Sequence, residues 1–331
     1  MDEKVVLIVV SQPDIASLNQ GKALLNFGGW VSAPPVEGDE TWRQKNVRIW
    51  WFSKGLLHED NLEKRWQNST GEVVSEVIFP SRHSAASGQP SLTLHPIGVT
   101  HLGEDDDMPF GGIRGRAPPP STRIAAWFRK LLQQSETIIG ERFELSLEVT
   151  HHGPWVDVPC MFIEIGSTED MWPDLPAADC LAQLMWDGLG LGANSAKSAT
   201  LDSSEVGVWD ENINSGEKVV IGLGGGHYAL RFASIAAHPN VWLGHMLANY
   251  ALPMEKPTDE NWDPKTGVLP EGTWASSIDE AVASTKLAFP KGELWAYLDK
   301  KSFKGWQRQV IMRHLDSIGI PFGRTKDIVS K

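Results

Sequence analysis

His151 and His152 close an alternating apolar run, "LEVTHHGP" at residues 147–154, which then stops at Gly-Pro. Imidazole ligates metals and exchanges protons near neutral pH, so an adjacent pair is a candidate for either task. Successive residues of a strand face opposite ways, so both rings can meet one ligand only if the chain turns. Gly153 and Pro154 supply that turn. His83, His95 and His227 also follow apolar runs, and with the pair they make half of the ten histidines. None has the His-x-x-x-His spacing of a helical zinc site, so any metal must be assembled from separate segments. Glu164 in "FIEIGS" places a carboxylate inside an apolar strand, which is costly unless it meets a cation, a histidine or an arginine. Taken singly, each histidine is accounted for by ordinary burial. Taken together, His83, His95, His151, His152 and Glu164 are candidate ligands for Zn2+, and His227, His151 and His152 are candidate catalytic residues.

"GLGGGHYALR" (222–231) has glycines at the first two positions of a dinucleotide fingerprint, but His227 stands where the third glycine belongs. No Walker loop follows. The unblocked amides of Gly224, Gly225 and Gly226 remain candidates to hold a phosphate or a developing oxyanion, with Tyr228 beside them, whereas the plain alternative is a tight strand-to-helix turn. Arg82 and Arg231 suit phosphate or carboxylate recognition, with structural salt bridges as the alternative. "KKSFKGWQR" (300–308), read as a helix, puts Lys301, Lys304 and Arg308 on one face, which is either a solvated stripe or an RNA-backbone contact.

The elements that must carry these groups share one grammar, a β-rich apolar run followed by His, Gly or Arg. They are "EVVSEVIFPSRHS" (72–84), "SLTLHPIG" (91–98), "FELSLEVTHHGP" (143–154), "CMFIEIGST" (160–168) and "KVVIGLGGGHY" (218–228). Helical patterns begin at Ser121, a candidate N-cap, at Ala177 and at Ser276. Interleaving of this kind predicts an α/β fold, a three-layer arrangement of a mixed sheet flanked by helices, with ligands gathered outside the carboxyl ends of the strands. The whole chain, 1–331, is expected to form one domain, built of one lobe or two, with exposed insertions near 103–120 and 253–272.

A net charge of −12 disfavours broad non-specific nucleic-acid binding, although it leaves room for a local basic patch. Cys160 and Cys180 offer no disulfide framework and no Cys-x-x-Cys motif, and are expected as two buried thiols in a reducing compartment. The opening "MDEKVVLIVV" lacks the basic segment of a signal peptide, and its apolar run is too short to cross a membrane.

"SRHSAASGQPSLTLHPIGV", "LEVTHHGP", "MFIEIGST", "GLGGGHYALR", "GHMLANYALPME" and "KSFKGWQ" together resemble the D-aminoacyl-tRNA deacylase family of archaeal and plant type, the last two its plant branch. The resemblance runs from "VVLIVV" to "KSFKGWQ". It implies a phosphorylase/hydrolase-like α/β fold and a zinc-dependent esterase that frees D-amino acids from mischarged tRNA, a chiral proofreading task. It also implies, in plants, ethanol tolerance through clearing aldehyde-modified D-aminoacyl-tRNA. On this reading the partner is D-aminoacyl-tRNA, the protein is a cytoplasmic or nuclear monomer, and no membrane or stable protein partner is involved. Leu230 stands where the family usually has proline, which adds an N–H and frees one backbone angle, a modest change. Two other readings remain open: a metal-dependent amidohydrolase or peptidase on small substrates, and a nucleotide- or phosphate-binding module without hydrolysis.

Overall fold

The structure is a computed structural model that describes residues 4–192 and 206–329. Val5–Ser11 (β1) sends Val6, Ile8 and Val10 into one apolar layer and Val5, Leu7 and Val9 into another. A strand buried on both faces must lie inside a sheet covered on both sides. That sheet has eight strands: β1, Val31–Val36 (β2), Asp39–Gln44 (β3), Val47–Phe52 (β4), Val74–Arg82 (β5), Ser91–His95 (β6), Glu144–Leu147 (β7) and Cys160–Gly166 (β8). Their order is β2-β3-β4-β1-β5-β8-β6-β7. Strands β4, β1, β5 and β8 run parallel, whereas β6 is antiparallel to β8 and carries β7 parallel to itself.

A second sheet, wholly parallel, is built from Lys218–Leu223 (β9), Trp242–Leu247 (β10), Glu293–Leu298 (β11) and Phe322–Gly323 (β12), in the order β10-β9-β11-β12. The helices are Ile15–Asn26 (α1), Leu62–Thr70 (α2), Ile124–Ile138 (α3), Leu175–Gly188 (α4), Leu230–Ala236 (α5), Trp274–Ala288 (α6), Gly305–Ser317 (α7) and Thr325–Ile328 (α8). Helices α1, α3 and α4 cover one face of the larger sheet, and Leu62 and Trp66 of α2 pack on the other. Val220, Leu243 and Met246 of the smaller sheet join the α3 side of the same core, which binds the two sheets together. The expected mixed sheet flanked by helices is therefore present. Cys160 and Cys180 are free and buried. Among the described residues no helix is long and apolar enough to cross a membrane.

Several expected boundaries shift for local reasons. Helix α3 begins at Ile124 rather than after Ser121: the Ser121 hydroxyl donates to Glu76 and accepts the Arg123 amide at 3.2 Å, so residues 121–123 form a turn that leads into the helix. Helix α4 begins at Leu175, since Asp174 caps it by accepting from the Ala177 amide at 2.8 Å, and α6 begins at Trp274. Glu104–Asp107 are exposed as expected of the first insertion, but Ala117–Pro120 are buried. They run beside β8, with the Cys160 amide donating to Pro119 and the Ser121 amide to Cys160. The second insertion is largely exposed.

Arg123 closes the end of this core. Its Nε donates to Glu76 at 2.7 Å and its Nη1 to the carbonyls of Gly188 and Val206. Replacing Arg123 with Met leaves the buried Glu76 carboxylate without its cation, and should cost about 3–5 kcal/mol in urea unfolding. Pairing it with Glu76→Leu should restore much of that loss, and a single variant as stable as wild type would contradict the assignment.

Candidate functional site

Residue Glu164 of β8 shares a sheet face with Phe162, and the antiparallel neighbour β6 sets Thr93 opposite Glu164 and His95 opposite Phe162. The His95 ring stacks on Phe162 at 5.4 Å. On the other flank β5 ends at Arg82, and the His83 amide then donates to Ile165. His83 and His95 thus arrive from strands of opposite direction. Each histidine stands at or just past the carboxyl end of its strand, as expected, but because β6 runs against β8 these ends meet over the Glu164 face rather than along one edge of the sheet.

Strand β7 stops at Leu147, and the next residues bridge to the smaller sheet. The Val149 amide donates to His227 at 3.1 Å and the Thr150 amide to Met246 at 2.7 Å. The turn that frees the histidine pair starts one residue earlier than the Gly-Pro predicts. His152 itself is left-handed, with φ 43°, and the Gly153-Pro154 bond that follows is cis. The His151 and His152 rings consequently sit 4.3 Å apart, edge to face. Gly153 is required by close approach, because a Cβ there would lie 2.3 Å from the Gly112 amide nitrogen.

Backbone carbonyls accept only, so they decide which ring nitrogen carries hydrogen. His95 Nδ1 donates to Pro96 O at 3.1 Å, His151 Nδ1 to Val149 O at 2.8 Å and His152 Nδ1 to Gly153 O at 2.6 Å. Their Nε2 lone pairs are left free, and one ring nitrogen from each of the three lies within 4.8 Å of the others. Two carboxylates close on the same space: Glu164 is 3.5 Å from His95 Nε2, and Glu148 is 3.6 Å from His151 Nε2 and 2.9 Å from His227 Nε2. His95 Nε2 and both Glu148 oxygens are buried and make no hydrogen bond. Buried lone pairs and carboxylates turned toward one another are an arrangement that a divalent cation satisfies.

His83 stands apart from the three-imidazole group. Its Nδ1 lies 3.2 Å from Glu148 and 3.4 Å from Glu164, and its Nε2 lies 3.2 Å from the Tyr228 hydroxyl, which also meets Ser167 at 3.2 Å. It forms a second possible metal group with Glu148 and His227. His227 Nδ1 in turn lies 3.3 Å from the Tyr250 hydroxyl.

Burial drives the His151 pKa far below its ordinary value, helped by His95, His152 and His227, and burial with His95 brings His152 down to about 4. For His83 and His95 burial also opposes the charge, but Glu164 and Glu148 outweigh it and raise both. Although burial disfavours its charge, Glu164 is held well below the carboxylate range by His83 and His95. The centre therefore sets two neutral, ligand-competent imidazoles, His151 and His152, beside an ionised Glu164, whose charge biases His83 and His95 toward protonation while no cation is bound.

His83, His151, His152, Glu164 and His227 line a cavity of about 1090 Å³, with His95 and Glu148 fully buried behind them; the same cavity is lined by Leu57, Leu102, Met108 and Phe110. Arg82 lines the same cavity, with its guanidinium 4.6 Å from the Trp172 ring. Other expected binding residues lie elsewhere. The Gly224 amide donates to Leu247 and the Gly225 amide to Ser302, so neither is free to cradle an anion. With Gly226 and Arg231 they border a separate cavity of about 290 Å³, where Arg231 faces Asp299 at 4.0 Å. Lys301, Lys304 and Arg308 do not share a helical face. A 3-10 turn spans Lys300–Ser302, Phe303 is extended and buried, and α7 starts only at Gly305. Glu148 was missed, although it interrupts an apolar alternation just as Glu164 does; Tyr250 carries no comparable signal.

A histidine whose folded pKa lies below its unfolded value favours unfolding as pH falls between the two. For His152 that window runs from 6.5 to about 4. Metal-free wild type should lose stability across it relative to His152→Asn, by at most about 3 kcal/mol because the ring edge is partly exposed. Urea unfolding of both proteins at about pH 7.5 and about pH 4.5 measures the difference; parallel pH dependence would contradict a neutral His152.

Residues 70–323 match the family profile described as D-aminoacyl-tRNA deacylase, a span that contains every residue of the centre. A D-aminoacyl-tRNA deacylase of Arabidopsis thaliana is 45% identical over 326 residues, covering 98% of this chain and 99% of that protein. One from Methanosarcina barkeri is 27% identical, covering 98% and 91% respectively. The crystal structure of a conserved protein of unknown function, AF0625, shares the fold with a TM-score of 0.74 at 23% identity, covering 99% of this chain and 98% of its own. The chain belongs to the D-aminoacyl-tRNA deacylase family, of the type found in plants and archaea.

Proposed function

We propose that this protein hydrolyses the ester of D-aminoacyl-tRNA to free D-amino acid and tRNA, at a zinc centre held by His95, His151 and His152 with Glu164 beside them. The observation that carries the reading is the convergence of three carbonyl-oriented imidazoles and two buried carboxylates, of which His151, His152 and Glu164 open on one large cavity. Zinc, when bound there, supplies Lewis-acid polarisation and neutralises the converging negative charge.

The chain's own residues account for the proton. Glu148 is fully buried behind the cavity wall, and it takes a proton from a cavity water by way of His227, which lines the cavity. His227, 2.9 Å away, passes it to the departing ribose oxygen as the ester C–O bond breaks and the water oxygen bonds to the acyl carbon. His83 holds both carboxylates in place, and the Tyr228 hydroxyl holds His83. Arg82 is oriented by Trp172 to meet a phosphate of the tRNA 3′ end. The apolar part of the cavity lining suits an amino-acid side chain, and the size of the cavity leaves room for an aldehyde-modified aminoacyl group. We assign the reaction to the cytoplasm, where aminoacyl-tRNA is consumed.

Amino-acid release from matched D- and L-aminoacyl-tRNA tests this directly. D-selective release should be abolished by chelation and regained with zinc. Release indifferent to chirality would favour an amidohydrolase, and D-release indifferent to chelation would keep the reaction and remove the metal. Arg82→Ala should raise KM with little change in kcat and lower the salt slope of binding by about 1; an unchanged slope would remove Arg82 from the phosphate path.

A further inference from the structure

We propose that His245 is a positioning residue for His151 and His152, acting through the Thr150 hydroxyl across the junction of the two sheets. His245 is fully buried, and its ring hydrogen-bonds with Thr150, Pro118 and Ser284, none of them a residue of the centre. It sits where β10 and β9 lose register: Leu243 pairs with Val220 and Met246 with Gly222, so Gly244 and His245 together stand opposite Ile221. A bulge of this kind re-aims a side chain.

The bulge is supported on both sides. A Cβ on Gly244 would lie 2.4 Å from Thr285 Cγ2, so α6 packs directly against this glycine, and Thr285 Oγ1 accepts the His245 amide at 3.3 Å. The Pro118 carbonyl, 3.1 Å from His245 Nε2, can only accept, so Nε2 carries the hydrogen and Nδ1 a lone pair. That lone pair accepts from Thr150 Oγ1 at 2.9 Å, and Thr150 Oγ1 accepts from the Met246 amide at 3.1 Å. The Thr150 amide donates to Met246 O at 2.7 Å, so Thr150 is held from both its backbone and its side chain.

Thr150 lies between Val149, whose carbonyl orients the His151 ring, and His151 itself. Moving Thr150 moves the ligand and its orienting acceptor together. Burial holds the His245 pKa down at about 4, so the acceptor persists throughout the physiological range.

This inference rests on the proposed centre, and the test separates the two. Zinc affinity, by competition with a chromophoric chelator, and the kcat and KM for D-aminoacyl-tRNA release are compared for wild type, Thr150→Val, Thr150→Ser and His245→Asn. Thr150→Val keeps the β-branched shape but loses both side-chain hydrogen bonds. It should weaken zinc binding by about 10–100-fold and lower kcat while KM stays within about twofold. Thr150→Ser should restore both, and His245→Asn should follow Thr150→Val. Thr150→Val or His245→Asn with a lower melting temperature but wild-type zinc affinity and kcat would overturn the positioning role. Wild type that takes up no zinc would instead overturn the metal reading, and the kcat comparison would then decide positioning alone.

Discussion

The hydrogen bond from an imidazole Nδ1 to a backbone carbonyl is the interaction on which the site depends. Three such bonds, at His95, His151 and His152, fix tautomer and ring plane together, because a carbonyl cannot donate. Once they are made, three lone pairs and two carboxylates face one small buried volume. Ordinary packing cannot satisfy such a volume, and the sheets around it are what holds it open. Strand reversal between β8 and β6 brings His95 opposite Phe162, the left-handed His152 folds the pair back, and the glycines behind them let the 103–112 loop close against the turn.

Much of this was legible in the sequence because strand chemistry is local. Five apolar runs were read as strands, and each contains one; Glu164 was recognisable as a carboxylate out of place. Glu148 carried the same signal and was masked by the more conspicuous histidines three residues later. Where reading failed, the decisive contact was distant in sequence. Nothing near Gly225 says that Ser302 takes its amide, and nothing within "KKSFKGWQR" says that Phe303 must be buried, so the glycine cradle and the continuous basic face were both reasonable and both absent. The direction of β6 was likewise invisible, since residue patterning does not distinguish parallel from antiparallel neighbours in a doubly buried sheet.

Leu230, read from the sequence as a departure from the family's proline, sits at a helix start. It is the first residue of α5 and its side chain is exposed, a position that accepts proline readily and needs it little. It lines the smaller cavity.

The site is divided between two sheets: His83, His95 and Glu164 belong to the larger, and His227 follows β9 of the smaller. The segment from Glu148 to Gly153 makes backbone hydrogen bonds to both, through Leu94 on one side and His227 and Met246 on the other. It is therefore the seam between the two. Each sheet has its own ladder, but the chemical centre exists only where the two meet, so its geometry depends on the docking of one sheet against the other.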